Sequence, residues 1–382
     1  MKKIAIFGGS FDPVHTEHVR LVEAAIKGLG LDKLLVMPAF APPHKRGKTL
    51  APDRDRLGMC RLAFSHLEKV EISDYEIAQG GTSYTYLTCR HFHEIYPNAE
   101  IFWLVGTDML RDFPTWKNPQ DILEHVTLGV CARDEKDGWE KEEQLAFEKR
   151  FGKKFAVIHY NGAPVSSTEI RLLTAAGLPI DHLTPQKVAE HIETKKLYCI
   201  PFARQALALE KAERAAHSVR VARLALTRAK DLHLSERAVL TAALMHDCAK
   251  NLDESSPLLQ GFTPPQRVPA PVLHQYAGAF VAKNTLGVTD EDVLNAICYH
   301  TSGRENMSAL EKLIFLADML EEGRAYKEVD ELRQAFFTRG LDEGLTLALL
   351  RSLEFLKEKG QSVYPLTQKA YDFMKRSVTS LG

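Results

Sequence analysis

KKIAIFGGSFDPVHTEH, Lys2 to His18, decides the fold of the first half of this chain. An apolar, β-branched run ends at Gly8 and Gly9, and a helical pattern opens near His15, so the segment reads as strand, tight turn and helix. That order turns backbone N–H groups and a helix N-terminus toward one cleft, a geometry that holds phosphate. The glycines permit close approach of a ligand to the backbone. His15 and His18, three apart on a helix, share a face and point at the same anion. The absence of GxGxxG spacing argues against a hydride-transferring dinucleotide enzyme.

Outward from this segment, KLLVMPA, KVEISDYEI, EIFWLVG, VTLGVCA and KFAVIHY read as further strands, separated by helical patterns as far as about Ile200. Such alternation predicts a Rossmann-like, doubly wound parallel sheet whose ligands sit at the carboxyl ends of the strands. After Leu197–Pro201 the strand signals vanish. Helical periodicity over 204–230, 235–250, 272–286, 290–299 and 310–322 predicts an all-α second half, with 253–271 a proline-rich loop between helices. We therefore expect domains at 1–200 and 202–382, in keeping with a chain of 382 residues, longer than one core usually serves.

Lys plus Arg total 49 against 50 for Asp plus Glu, so no global basic field recommends a long nucleic-acid partner, and small anionic ligands fit better. The cysteines, Cys60, Cys89, Cys131, Cys199, Cys248 and Cys298, form no CxxC pair and read as reduced thiols. The first residues carry too short an apolar run for a signal peptide, and no run approaches the ~20 apolar residues that span a bilayer. A cytoplasmic protein with no membrane partner is expected; its oligomeric state is left open.

The second half carries His217, the pair His246 and Asp247, His274, His300 and Asp318, on expected helices or their ends. Histidines mixed with carboxylates suit divalent first-row metals, and two such ions could share Asp247 and a hydroxide of lowered pKa. Ligand type alone admits iron, manganese, cobalt or zinc.

With these motifs in view, residues 1 to 200 resemble the HIGH-type nucleotidyltransferases, and among them the bacterial nicotinate-nucleotide adenylyltransferases. The GGSFDP turn, the HxxH pair and a second motif, VSSTEIR at Val165–Arg171, carry the likeness. It implies ATP contacts at Gly8, Gly9, Ser10, Phe11, His15, His18, Ser167, Thr168 and Arg171. Further matches, PPHK at 42–45, TSYT at 82–85, GTD at 106–108 and Trp116, imply a pyridine-nucleotide site at His44, Lys45, Thr82, Ser83, Tyr84, Thr85, Gly106, Asp108 and Trp116. The implied reaction is attack by the phosphate of nicotinate mononucleotide on the α-phosphorus of ATP, with magnesium. His15, His18, Lys45 and Arg171 would align the phosphates and stabilise their charge. One position departs: HxGH reads HisThrGluHis, with Glu17 replacing glycine. Residue 17 lies ~100° from residue 18 and ~200° from residue 15 around a helix, so its side chain is expected to point off the ligand face.

From about Phe202 onward the chain is similar to the HD-domain metal-dependent phosphohydrolases, most closely the symmetrical diadenosine tetraphosphatases. That likeness implies a di-iron centre on His217, His246, Asp247, His274, His300 and Asp318, with Asp247 shared, and cleavage of diadenosine tetraphosphate to two ADP. It also implies phosphate-facing cations at Lys250, Arg304 and Arg324. The alternative is a first domain silenced by Glu17 and acting as a nucleotide sensor, with the HD domain hydrolysing another nucleotide.

Overall fold

The structure, a computed structural model, describes residues 1–41, 50–133 and 139–379. Two compact units account for it: Met1–Arg171 with Pro179–Leu197, and Leu172–Leu178 with Tyr198–Gly382.

The first unit is built on six parallel strands, β1 (Lys2–Gly9), β2 (Lys33–Pro38), β3 (Val70–Ile72), β4 (Ala99–Gly106), β5 (Thr127–Arg133) and β6 (Ala156–Tyr160), in the order β3-β2-β1-β4-β5-β6. Ile4, Ala5 and Ile6 are all buried, because a central parallel strand is covered on both faces and therefore reads as a continuous apolar run. Ile6 sits in register with Leu35 on one side and Trp103 on the other. Strand order reverses between β1 and β4, so the crevice of the sheet opens beside Gly9 and Gly106, where the expected phosphate turn lies. Gly8 is needed there for space: a Cβ would stand 2.9 Å from the Trp103 ring.

One expected strand is mostly something else. Of KVEISDYEI only Val70–Ile72 pairs, at the edge of the sheet, and Tyr75–Gln79 is a short helix. The Ser73 amide donates to the Val36 carbonyl at 2.9 Å as the last ladder-like bond, after which the polar Ser73–Asp74 pair turns the chain away. Short edge strands present few unpaired backbone groups.

Every regular element among the described residues of the second unit is a helix. The helix expected over 204–230 is broken into Ala203–Ala208 and Ala212–Ala229. The break holds Glu210, buried and accepting from the Ser218 hydroxyl at 2.9 Å, and Lys211, whose amide donates to Asn251 Oδ1 at 3.1 Å. The helix expected over 235–250 is Glu236–Met245, and the chain then leaves it as turns through His246–Lys250. Helices Ala270–Asn284, Glu291–Tyr299 and Ala309–Leu320 follow, the last started by a reciprocal cap between Ser308 and Glu311. Val329–Thr338, Leu341–Glu358 and Pro365–Thr379 complete the unit around a core that includes Leu244, Ile314, Phe315 and Leu345.

No helix among the described residues is long and apolar enough to cross a membrane. All six cysteines are free thiols. Cys248 is buried, with its Sγ 3.6 Å from the Gly278 carbonyl oxygen it donates to.

Candidate active sites

In the first unit the β1 turn and the Val165–Arg171 segment, far apart in sequence, meet. Ser167 Oγ donates to the Pro13 carbonyl at 2.9 Å, and Arg171 donates to the Asp12 carbonyl at 2.5 Å and to Thr168 Oγ1 at 3.1 Å. Phe11 adopts a left-handed φ of 46°, a costly conformation for an aromatic residue. Burial fixes it there, with its ring edge-on to Phe7 and His18.

His15 caps the helix Thr16–Leu29 reciprocally with His18: the His18 amide donates to His15 Nδ1 at 3.3 Å and the His15 amide to His18 Nδ1 at 3.1 Å. With both Nδ1 atoms accepting, each ring carries its proton on Nε2. The rings stack with centroids 3.5 Å apart, giving two parallel N–H donors at the end of β1. Burial, with Arg133 nearby, pushes the His15 pKa down to about 4, so at neutral pH His15 is a neutral donor rather than a cation.

Sequence reasoning missed the side chain that holds this turn from beneath. Arg56 is fully buried; it donates to the carbonyls of Ser10 at 2.9 Å, Ala39 at 2.7 Å and Ala51 at 3.2 Å, and pairs with Asp53 at 2.5 Å. An arginine beside the acidic helix start at Asp53 and Asp55 is the only trace of it in the sequence.

Glu17 is more enclosed than helical phase alone suggested. It is 2% exposed; Oε1 accepts from Arg20 at 2.7 Å, and the buried Oε2 has no hydrogen-bond partner. Oε2 lies where residue 162 must be glycine, only 2.7 Å from the position a Cβ would take there. Arg133, whose Nε donates to the Tyr160 hydroxyl at 3.0 Å, borders the same spot.

Of the expected pyridine-nucleotide residues, His44 and Lys45 lie outside the described residues. Thr82 bridges to Ala41, and Ser83 Oγ accepts from the Phe40 amide at 3.0 Å. Tyr84 precedes the helix Thr85–Ile95, with Lys117 Nζ 4.2 Å from its ring centroid. Gly106 and Asp108 stand at the carboxyl end of β4, with Asp108 folded back over Gly106. Trp116 packs on Phe113 with its indole Nε1 buried and unpartnered.

The second unit gathers all six candidate ligands. His217 comes from the helix Ala212–Ala229, His246 and Asp247 from the turn after Met245, and His274 from the helix Ala270–Asn284. His300 follows Tyr299, and Asp318 lies on Ala309–Leu320. His217, His246 and Asp318, and again His246, Asp247 and His300, present donor atoms within 4.8 Å of one another. Asp247 Oδ1 stands 3.2 Å from His274 Nε2 and 3.4 Å from His300 Nε2.

Ring orientation tests whether these residues fit a metal. His246 Nδ1 and His300 Nδ1 donate to the carbonyls of Ala243 and Ile297, each at 2.7 Å, and His217 Nδ1 donates to Glu321 at 3.0 Å. All three therefore turn a lone pair on Nε2 inward. His246 Nε2 is buried with no hydrogen-bond partner, and His217 Nε2 stands 2.8 Å from Asp318 Oδ1, two lone-pair atoms that call for a cation; Arg324 Nη2 stands 3.4 Å from His217 Nε2 and 2.6 Å from Asp318 Oδ1. The donor set fits divalent metal ions. His274 is held differently, with Lys250 Nζ 3.2 Å from Nδ1 and 2.9 Å from Nε2, and Thr301 Oγ1 3.1 Å from Nε2.

Burial alone would push Asp247 and Asp318 up. The surrounding imidazoles, and Arg324 beside Asp318, hold both far below the usual carboxylate range. Burial pushes His246 and His274 down to about 4, keeping both neutral as ligands must be.

Two of the three expected phosphate-facing cations reach the cluster. Lys250 contacts His274, and Arg324 donates to Asp318 Oδ1 at 2.6 Å. Arg304 is engaged elsewhere: it binds the buried Glu311 through two bonds of 2.7 and 2.8 Å and covers the Tyr299 ring. Arg214, which sequence reasoning missed, takes a place beside the cluster with Nη1 3.1 Å from Asp247 Oδ2. Its spacing, one helical turn before His217, was the available signal.

Comparison with known proteins matches residues 6–173 to the cytidylyltransferase-like family and residues 214–323 to the HD domain family. A Mycoplasma genitalium protein named "Probable nicotinate-nucleotide adenylyltransferase/Ap4A hydrolase" is 31% identical over 87% of this chain and 92% of its own length. Its Mycoplasma pneumoniae counterpart of the same name is 31% identical over 85% and 90%. A Clostridium tetani protein named "Probable nicotinate-nucleotide adenylyltransferase" is 36% identical over 52% of this chain and its own full length. The first two similarities run through both domains, and the chain belongs to the family that joins a cytidylyltransferase-like nucleotidyltransferase domain to an HD domain.

Proposed function

We propose that the first domain transfers AMP from ATP to nicotinate mononucleotide, and that the second hydrolyses diadenosine tetraphosphate symmetrically to two ADP. The observation that carries the reading is the presence of a glycine turn with two stacked histidines at the β1/β4 switch point and of an inward-facing histidine–carboxylate cluster in the second unit. The names of the mycoplasma relatives, which join the same two activities, support it.

In the first site the Nε2–H groups of His15 and His18, together with Arg171, provide donors for the phosphates of magnesium-bound ATP at the positive end of helix Thr16–Leu29. An oxygen of the mononucleotide phosphate attacks the α-phosphorus, the bond to the β-phosphate oxygen breaks, and pyrophosphate leaves. No residue becomes covalently modified; the protein aligns the groups and stabilises developing charge.

In the second site His217, His246, Asp247, His274, His300 and Asp318 would hold two divalent metals, with iron the expected pair. When bound, such ions polarise a phosphate and lower the pKa of water toward neutrality. Arg214, Lys250 and Arg324 would bind the polyphosphate, and the buried imidazoles stay neutral to serve as ligands.

Product analysis tests both assignments. Purified protein with magnesium and manganese or iron(II) is offered nicotinate mononucleotide plus ATP, or diadenosine tetraphosphate. Nicotinate adenine dinucleotide from the first and ADP from the second are expected. ATP binding without pyrophosphate release would replace the first assignment with a sensor, and intact tetraphosphate would overturn the second.

A further inference from the structure

Three of the cluster histidines are oriented through Nδ1, but by different means. His246 and His300 donate to backbone carbonyls one turn back in their own segments, bonds that any sequence there could make. His217 donates to a side chain, Glu321, more than one hundred residues away. Glu321 is 1% exposed. Further donors fix it in place: Arg220 Nε at 2.5 Å to Oε2, the Gly323 amide at 2.6 Å to Oε2, Arg220 Nη2 at 3.4 Å to Oε1, and Arg324 Nε 3.8 Å from Oε1 as an ion pair. Arg333 secures the backbone on either side, donating to the carbonyls of Leu320 at 3.0 Å and Glu321 at 2.8 Å.

We propose that Glu321 is a positioning residue for the metal centre: its carboxylate fixes the His217 tautomer and ring plane so that Nε2 faces Asp318 as a lone-pair donor available to a metal ion. The inference rests on the metal-hydrolase reading of the second domain. A carboxylate behind a ligating imidazole also raises the basicity of the ligand, and removing such a partner weakens metal affinity by roughly 10–100-fold. Among the three Nδ1 acceptors only this one can be removed by changing a side chain.

The test is manganese(II) titration of the metal-stripped full-length protein, read by calorimetry, alongside far-ultraviolet circular dichroism and melting of each stripped variant. Glu321→Ala should lose roughly 10–100-fold in affinity at the weakened site. Glu321→Gln, whose amide oxygen still accepts from Nδ1, should recover part of it. Arg220→Ala removes the main clamp on Glu321 but leaves the imidazole–carboxylate bond, and should lose far less affinity than Glu321→Ala if the bond to His217 is what matters. Wild-type affinity in Glu321→Ala would overturn the proposal, as would an equal loss in Arg220→Ala, which would reduce Glu321 to a loop clamp. Wild-type protein that binds no manganese would overturn the metal-centre reading itself, and this proposal with it.

Discussion

Replacing Arg56 by lysine tests whether the phosphate turn is held from beneath. Arg56 is fully buried and divides its donors among three carbonyls, those of Ser10, Ala39 and Ala51, and the Asp53 carboxylate. Lysine keeps the charge but concentrates its donors on one nitrogen, so it cannot span all four acceptors. At least two buried carbonyls would lose their partner. Each such loss costs about 1–3 kcal/mol, and part returns through the contacts lysine still makes, leaving a net loss of about 2–4 kcal/mol. For a domain of this size 1 kcal/mol moves Tm by about 2–4 °C, so the first domain should melt roughly 4–16 °C lower. Scanning calorimetry of the full-length protein reads this directly, with the relevant transition identified by its upward shift on adding ATP. Because Ser10 belongs to the turn itself, KM for ATP should rise as well. A transition within 1 °C of wild type and an unchanged KM would refute the argument that Arg56 holds the turn.

Glu17→Gly should lower KM for ATP by several-fold, because a carboxylate close to the site of a polyanion is removed along with its unpartnered buried oxygen. A tenfold rise in steady-state assays would instead make Glu17 a nucleotide contact. His15, with an ordinary pKa of 6.5 that burial lowers to about 4, binds its proton more readily in the unfolded chain. Its contribution, up to roughly 3 kcal/mol, is therefore complete above pH 6.5 and is lost as pH falls from 6.5 to 4. Urea titrations across that window should show a shallower decline in His15→Asn, and parallel slopes would contradict the assignment. Arg304→Ala should destabilise the HD domain by about 3–5 kcal/mol, because it strands the buried Glu311, while kcat for diadenosine tetraphosphate hydrolysis stays near wild type. A stable variant with a large fall in kcat would return Arg304 to the phosphate site.

Local pattern determined much of this protein. The apolar run of β1 ends in glycines because a central parallel strand is buried on both faces and its turn needs space, and that requirement is written in consecutive residues. The same holds for the loss of strand signals after Pro201 and for the six histidines and aspartates, whose types and order announce divalent-metal chemistry without any fold. Tertiary structure decided what depends on partners distant in the chain. That Arg304 binds a buried glutamate depends on Glu311 being enclosed at the start of the next helix, and charge alone is silent on burial. Helical phase set an expectation for the direction of Glu17 around its own axis but could not show Gly162 and Tyr160, which enclose it. KVEISDYEI pairs with β2 only over Val70–Ile72, after which the polar Ser73–Asp74 pair turns the chain away and a short helix begins at Tyr75. The partners of Arg56, Arg214 and Glu321 were illegible for one reason: each acts through a backbone carbonyl, carboxylate or imidazole that folding alone brings within hydrogen-bond or ion-pair range.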